Sequence, residues 1–417
     1  MRLRTSFKCV VLAATVLVSL TSVPADWPQW RGPNRDGNVK SAFVPDAWPK
    51  ALKEEWKVTV GVGHASPVES NGRIYVFARQ GEDEVLLCLD SVTGKEIWRS
   101  SPQPTIYEMH PAAVGHGKGP KSTPVISNGA VYTFGIAGVL SAYDAGTGKL
   151  KWRREFSKEY PKTSPLFGTA MSPLVEGGLL IAHVGGHDKG ALIAFDAETG
   201  VTRWSNNADG PAYASPIIVT LAGVRQIVTF MQKELVGVDF ATGKILWKLP
   251  SKTQYDENSN TVVAYKDLLI FSREEQGLSA IRLNKQGAEI VPEQVWNNKE
   301  AELYLSTPVL QGNLLFGMTA RQKGQFFAID ADTGKTVWQS PGRMGENAAI
   351  LNLGGKVLVF LTNDAKLIVQ PASAKTYSPV VEYTVAASPT WAHPLVLGRR
   401  ILVKDETALA SFVIADK

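Results

Sequence analysis

Cysteine is almost missing from this chain of 417 residues: it has two, Cys9 and Cys88. They are far apart in sequence, and Cys9 falls in an amino-terminal apolar stretch. Once that stretch is removed, Cys88 is left alone in the strand-like LLCLD with no disulfide to form, and its expected place is a buried apolar slot. Export without disulfides suits a protein this long, because a large core can replace covalent staples. Long hydrophobic runs are also lacking. The one candidate, CVVLAATVLVSL, is short for a membrane span, follows the basic MRLRTSFK, and precedes small residues at Val23 and Ala25. It reads as a secretory signal cleaved before Asp26, which makes the mature protein periplasmic or secreted with no transmembrane anchor. Cys9 follows no lipoprotein-type cleavage box, which argues against a lipid anchor. A strong excess of one charge is absent too. The basic residues number 44 and the acidic 39, and setting aside Arg2, Arg4 and Lys8 of the signal leaves a net charge of +2. Nothing in that balance points to nucleic acid.

What the chain does have is a repeat. LIAFDAETGVTRW (Leu192 to Trp204) recurs as LLCLDSVTGKEIW, LSAYDAGTGKLKW, LVGVDFATGKILW and FFAIDADTGKTVW. Each copy reads as a strand, a polar turn with a glycine suited to positive φ, and a second strand that ends on tryptophan. Copies are preceded by a third and fourth strand around a tight turn, as in SPVESNGRIYVFA and STPVISNGAVYTF. Asp90, Asp144, Asp196, Asp239, Leu283, Asp330 and Gln370 occupy equivalent positions 40 to 54 residues apart. Those intervals fit four-stranded blades. The fifth unit is degenerate and ends at Trp296, and the seventh lacks the terminal tryptophan.

Residues Glu55 to Val60 look like the tryptophan strand of an eighth blade, and Ser388 to Lys417 supplies its other three strands. The predicted fold is all-β, an eight-bladed propeller of four-stranded antiparallel blades closed by amino- and carboxy-terminal strands. The expected organisation is a signal at 1–25, an extension at 26–53 and one propeller at 54–417. The extension contains DWPQWRGPNRDG, whose prolines and glycines exclude a regular element and whose tryptophans can anchor it. We expect it to pack along the ring.

The D-x-x-T-G-K-x-x-W copies resemble the repeats of quinoprotein dehydrogenases and of the related outer-membrane assembly factor BamB. The resemblance implies that the tryptophans dock adjacent blades. It also brings pyrroloquinoline quinone (PQQ) and calcium into view, held in that family between a tryptophan platform and a vicinal disulfide. No adjacent cysteine pair exists in this chain, so it departs from the best-known cofactor geometry, although Trp391 resembles a platform residue.

Blade connectivity puts the interblade links and the loops between second and third strands on one face, opposite the tight turns. Function is expected on that face, where loops vary over a fixed frame. The histidines concentrate there: His64, His110, His116 and His187 are candidates for a metal or proton-transfer site, while His183 is expected in a strand. Asp256, Glu257, Asn258, Glu346 and Asn347 offer oxygen ligands for a cation or sugar. Arg79, Arg273 and Arg321 are candidates for anion recognition. Tyr213, Tyr255, Tyr304 and Trp391 offer aromatic contacts, with Tyr107 beside them. Each of these residue types also serves in ordinary turns and loop packing. The first functional reading is an exported protein that binds a ligand or a partner, an envelope protein or carbohydrate, without redox chemistry of its own and with no cofactor assigned. The alternatives are a PQQ- and calcium-dependent alcohol or sugar dehydrogenase, and a carbohydrate lyase or hydrolase.

Overall fold

A single repeat unit has two apolar faces and can bury them only against copies of itself. In the computed structural model, which describes residues 26–415 other than Gln254, Asp256 and Ala374, the units form eight four-stranded antiparallel blades. The signal segment lies outside the described residues. Blades 1 to 7 span 68–99, 125–154, 174–206, 217–250, 263–298, 309–339 and 348–384. Blade 8 is composite: Leu395–Leu397, Arg400–Lys404 and Ala408–Val413 are completed by Lys53–Thr59, which pairs antiparallel with Ala408–Val413. First strands of neighbouring blades contact one another, so they line the axis. The degenerate fifth blade extends its third and fourth strands to ten residues each, Gly277–Gln286 and Glu289–Asn298. In blade 7, Tyr383 stands where tryptophan is missing, and its hydroxyl donates to Pro49 O at 2.6 Å.

The repeat residues each have a physical task. Asp90 Oδ1 accepts the Thr93 amide at 2.8 Å and its hydroxyl at 2.7 Å, and the same pair closes the turn at Asp144, Asp196, Asp239 and Asp330. The turn glycine then lies flat on the tryptophan of the preceding blade: Gly94 on Trp56, Gly148 on Trp98, Gly200 on Trp152, Gly243 on Trp204 and Gly334 on Trp296. A β-carbon at any of these glycines would come within 2.4 to 2.8 Å of an indole ring carbon. Across the strand pair each tryptophan faces a small residue, Cys88, Ala142, Ala194, Gly237, Ala280 or Ala328, next to a register shift. Cys88 is thus the blade 1 version of a slot that elsewhere holds alanine or glycine, which accounts for its burial.

Around the axis the residues that open each first strand are joined by hydroxyl groups. The amide of Ser66 donates to Thr123 Oγ1, that of Thr123 to Ser172 Oγ, that of Ser172 to Ser215 Oγ, that of Ser215 to Thr261 Oγ1 and that of Thr261 to Thr307 Oγ1, all at 3.0 to 3.2 Å. Ser306 continues the belt to blade 7 through the Ala348 amide, and the His393 amide joins blade 8 to Ser66 Oγ of blade 1 at 2.8 Å. The hydroxyl residues before the first strands, set in S/T-P dipeptides in blades 1, 2, 3, 4 and 6, therefore stitch neighbouring blades at one level of the ring.

The segment expected along the ring instead crosses its axis. Trp27 bridges Glu69 of blade 1, and Pro28 O accepts the Ile126 amide of blade 2. Arg35 reaches Ser172 O and Pro173 O of blade 3, while Arg31 reaches Pro308 O of blade 6. Asn38–Val39 then runs parallel to the first strand of blade 7, Ala348–Leu353. Apart from Asn38–Val39 the segment has no regular element, and it hydrogen-bonds instead to strands of blades 1, 2, 3, 6 and 7, while its indole and aliphatic groups join a core shared with blades 1, 7 and 8.

Glu69 gains a testable property from this plug. Burial, reinforced by the Asp26 carboxylate, pushes its carboxyl up to about 7, against the hydrogen bond from the Gly72 amide. An acid whose pKa is raised on folding binds more protons in the folded state, so its contribution to stability falls as pH rises from about 4.5 to 7. Glu69→Gln keeps an acceptor for Gly72 and removes the charge. Relative to the native chain it is expected to gain about 2 kcal/mol between pH 5 and pH 8, measured by denaturant unfolding at the two pH values. A constant difference would place the titration elsewhere.

Candidate functional site

The face carrying the interblade links is a shallow mouth above the plug, and its side chains sort into three groups. Beside the seam, His64 of the blade 8 to blade 1 link stacks on Trp391, with centroids 5.5 Å apart and planes at 16°. His116 meets the same indole edge-on at 4.8 Å and His64 at 5.6 Å. Two lysines flank this aromatic group. Lys121 donates to Phe167 O at 2.8 Å, and Lys404, fully buried, donates to Gly63 O at 2.6 Å and Asp405 O at 3.1 Å. Desolvation lowers both ammonium groups to about 8. Desolvation first, then the charges of Lys121, His116 and Lys404, pushes His64 down to about 3, so its imidazole is neutral at physiological pH. Burial and Lys121 also lower His116, with Glu346 opposing them.

The second group is aromatic and spans the four links from blade 1 to blade 5. Phe167 packs against His110, Tyr213 and Tyr255 at 5.5, 6.0 and 6.2 Å, and the Phe167 amide donates to the Tyr213 hydroxyl. The third is a cavity of about 220 Å³ on the side of blades 5 and 6, lined by Glu257, Glu274, Glu302, Tyr304 and Arg321 among others. Burial raises the Glu257 carboxyl, opposed by a hydrogen bond with Tyr304 and reinforced by Glu274. The Tyr304 hydroxyl is pushed up to about 12 by desolvation and then by Glu257 and its acidic neighbours. The mouth is therefore polarised, cationic and aromatic beside the seam and acidic across from it. Glu346 lies between the two, within electrostatic reach of both His116 and Tyr304.

Several expected site residues are committed to holding the frame. Arg79 donates to Thr105 O, Gly81 O and the Glu82 carboxylate, because residues 103–104 fold back onto the third strand of blade 1. Arg273 donates to Pro250 O and lies over Phe271. The buried Asn258 side chain clamps Ser251, Met231 and Gln232, and Asn347 accepts from Ser306. The four histidines do not assemble as one set. His64 and His116 meet, His110 caps a short 3₁₀ turn through the Ala112 amide, and half-buried His187 sits in the second-to-third strand loop of blade 3. Among the described residues no three His, Cys, Asp or Glu side chains are close enough to hold a metal ion. His183 is buried in its strand against Asp209 O, and Tyr107 is buried beside Gly168. Asp256 lies outside the described residues. Lys121, Lys404, Phe167, Glu274 and Glu302 complete the mouth and were not anticipated, although Lys404 ends a second strand as Arg273 does and as Arg79 nearly does.

The sandwich implied for a quinone does not fit this geometry. One face of Trp391 is covered by His64, and the single described cysteine is buried opposite Trp98 in blade 1.

Comparison with known proteins agrees with the fold. The model of the family described as outer membrane protein assembly factor BamB matches residues 82–340. The assembly factor BamB of Shewanella oneidensis is 24% identical over 245 residues, covering 54% of this chain and 59% of that protein. The chain spans about half the length of the first curated relatives it matches. Among solved structures, BamB from Moraxella catarrhalis superposes with a TM-score of 0.61 at 13% identity, covering 87% of this chain and 100% of that one. The quinohemoprotein alcohol dehydrogenase ADHIIG from Pseudomonas putida reaches 0.69 at 13% identity, covering 97% and 82%. At such identities the structural likeness speaks for the fold alone.

Proposed function

The chain belongs to the BamB family of propellers, and from that premise we propose that it is an exported partner-binding protein whose mouth docks a polypeptide of the bacterial envelope. The observation that carries this reading is a closed axis beneath an open face that leaves large apolar groups in water. The plug joins blades on opposite sides of the channel, so a partner is met at the surface. There Ile106 is 96% exposed, Tyr255 47% and Tyr304 40%. Exposed aromatic and aliphatic anchors on a rigid frame are the usual centre of a protein interface, and the glutamates around the blade 5 and 6 cavity supply charge for orientation.

Site-specific photo-crosslinking in cells tests the reading. A crosslinking residue at Ile106, Tyr255 or Tyr304 is expected to capture one discrete envelope protein, and the same residue at Val92 or Val201, exposed on the turn face, is expected to capture none. Ile106→Asp combined with Tyr255→Ala should weaken that complex roughly tenfold or more. Equal capture from both faces would overturn the assignment, as would adducts with polysaccharide alone. Saturable one-to-one binding of PQQ with calcium, accompanied by substrate-driven dye reduction, would replace it with the dehydrogenase.

A further inference from the structure

The plug carries two arginines into the middle of the ring. Arg31 is 2% exposed and Arg35 6%, and among the described residues neither guanidinium pairs with a carboxylate. Their hydrogen-bond partners are neutral: Arg31 Nη2 donates to Pro308 O at 2.6 Å and Asp36 O at 3.3 Å, and Arg35 donates to Ser172 O, Pro173 O and Gln29 Oε1 at 3.0 to 3.1 Å. Both pack on the same indole, with their Cζ atoms 5.5 and 5.6 Å from the centre of Trp30. The ring of His393 meets that indole edge-on at 5.6 Å. Three nitrogens of this cluster, Nε of Arg31, Nε of Arg35 and Nδ1 of His393, are buried without a hydrogen-bond partner.

Burying one arginine without a counter-ion is unfavourable, and burying two that repel each other is more so. Their mutual presence is felt: desolvation and then Arg31 lower Arg35 to about 9, while desolvation, opposed by Asp36, lowers Arg31 to about 10. Neither loses its proton near neutrality, so the charge stays. The backbone is also held in an unusual state at both positions, with φ of 59° at Arg31 and 58° at Arg35. Such conformations persist in non-glycine residues where the surroundings enforce them, often at binding sites.

We infer that the Arg31–Trp30–Arg35–His393 cluster is an internal oxyanion site, in which the orphaned guanidinium nitrogens take a small free oxyanion that balances the charge of the plug. Planar guanidinium groups match the oxygen spacing of phosphate, sulfate and carboxylate. The cluster is buried at the level of the hydroxyl belt, which restricts the ligand to a small ion rather than the charged end of a polymer. This site is separate from the mouth and from the partner proposed to dock there.

Equilibrium dialysis of the full mature chain with inorganic phosphate, sulfate and acetate, at fixed ionic strength in chloride, is the test. One saturable equivalent of at least one of the three is expected, and Arg31→Gln and Arg35→Gln should each weaken it roughly tenfold or more. Arg35→Lys keeps the charge without the fork and should bind at an intermediate level. If a variant does not fold, the native chain still decides: its unfolding temperature should climb with the concentration of the bound oxyanion and not with matched chloride. No saturable binding of any of the three ions, or binding unchanged in folded Arg31→Gln and Arg35→Gln, would overturn the inference.

Discussion

Replacing Trp27 with alanine is expected to lower the unfolding free energy by about 3–5 kcal/mol. The indole is buried in the core shared by blades 1, 7 and 8, and Gly32 lies against it at 3.5 to 3.6 Å from where its β-carbon would stand. Its backbone exchanges two hydrogen bonds with Glu69 at 2.8 and 2.9 Å. Truncation leaves a cavity walled by the sheets of blades 1, 7 and 8, which are held by the closed ring and cannot collapse into it, so the loss belongs at the upper end for large-to-small changes. Trp48 offers the contrast, because it only packs partly buried against the same core, and its alanine variant should lose about 1 kcal/mol. Urea unfolding of the three proteins reads both values. A loss at Trp27 no greater than at Trp48 would mean that the plug is not part of the cooperative unit.

The second large effect is expected at the glycine of a docking turn. Gly148 has φ of +72°, and a β-carbon there would stand 2.4 Å from the Trp98 ring. Gly148→Ala therefore combines backbone strain of about 1–2 kcal/mol with a displaced indole that adds about 1–3 kcal/mol. Gly129 separates the two contributions, since its φ is +71° and nothing lies within 4 Å of its added carbon. Gly129→Ala should show the strain alone, and the difference between the variants is the energy of seating Trp98 on the next blade. Identical losses would show that the tryptophan adapts and that blade docking does not depend on a flat contact.

The frame was legible because its constraints are local and repeated. Asp, Thr, Gly and Trp recur at fixed spacing, and each reports a turn, a positive φ or a docking ring that needs no knowledge of distant sequence. The seam was legible for the same reason, since Trp56 continues the pattern with no strands before it. The plug was not, because its order comes from contacts with residues such as Ser172, Pro308 and Asn352, and no periodicity announces those partners. Site residues were legible as a face and not as pairs. Loop composition placed His64, His110 and His116 on one side of the ring. Only the path of each loop decides that His64 and His116 share Trp391 while His110 caps its own turn. Arg79 shows the converse: a guanidinium in a polar loop reads as free for a ligand until residues 103–104 fold back over it.

The composite blade has a consequence for the order of events as the chain is made. Lys53–Thr59 emerges early and waits for Ala408–Val413, and the Glu55 carboxylate is met by Arg400 only after blades 1 to 7 have been made. Until then the strand is an unpaired edge, the kind of surface that other chains add to, and pairing at such long separation is slow. A product truncated before residue 408 would keep that edge permanently unpaired, so closure of the ring couples the fate of its earliest strand to synthesis of its latest.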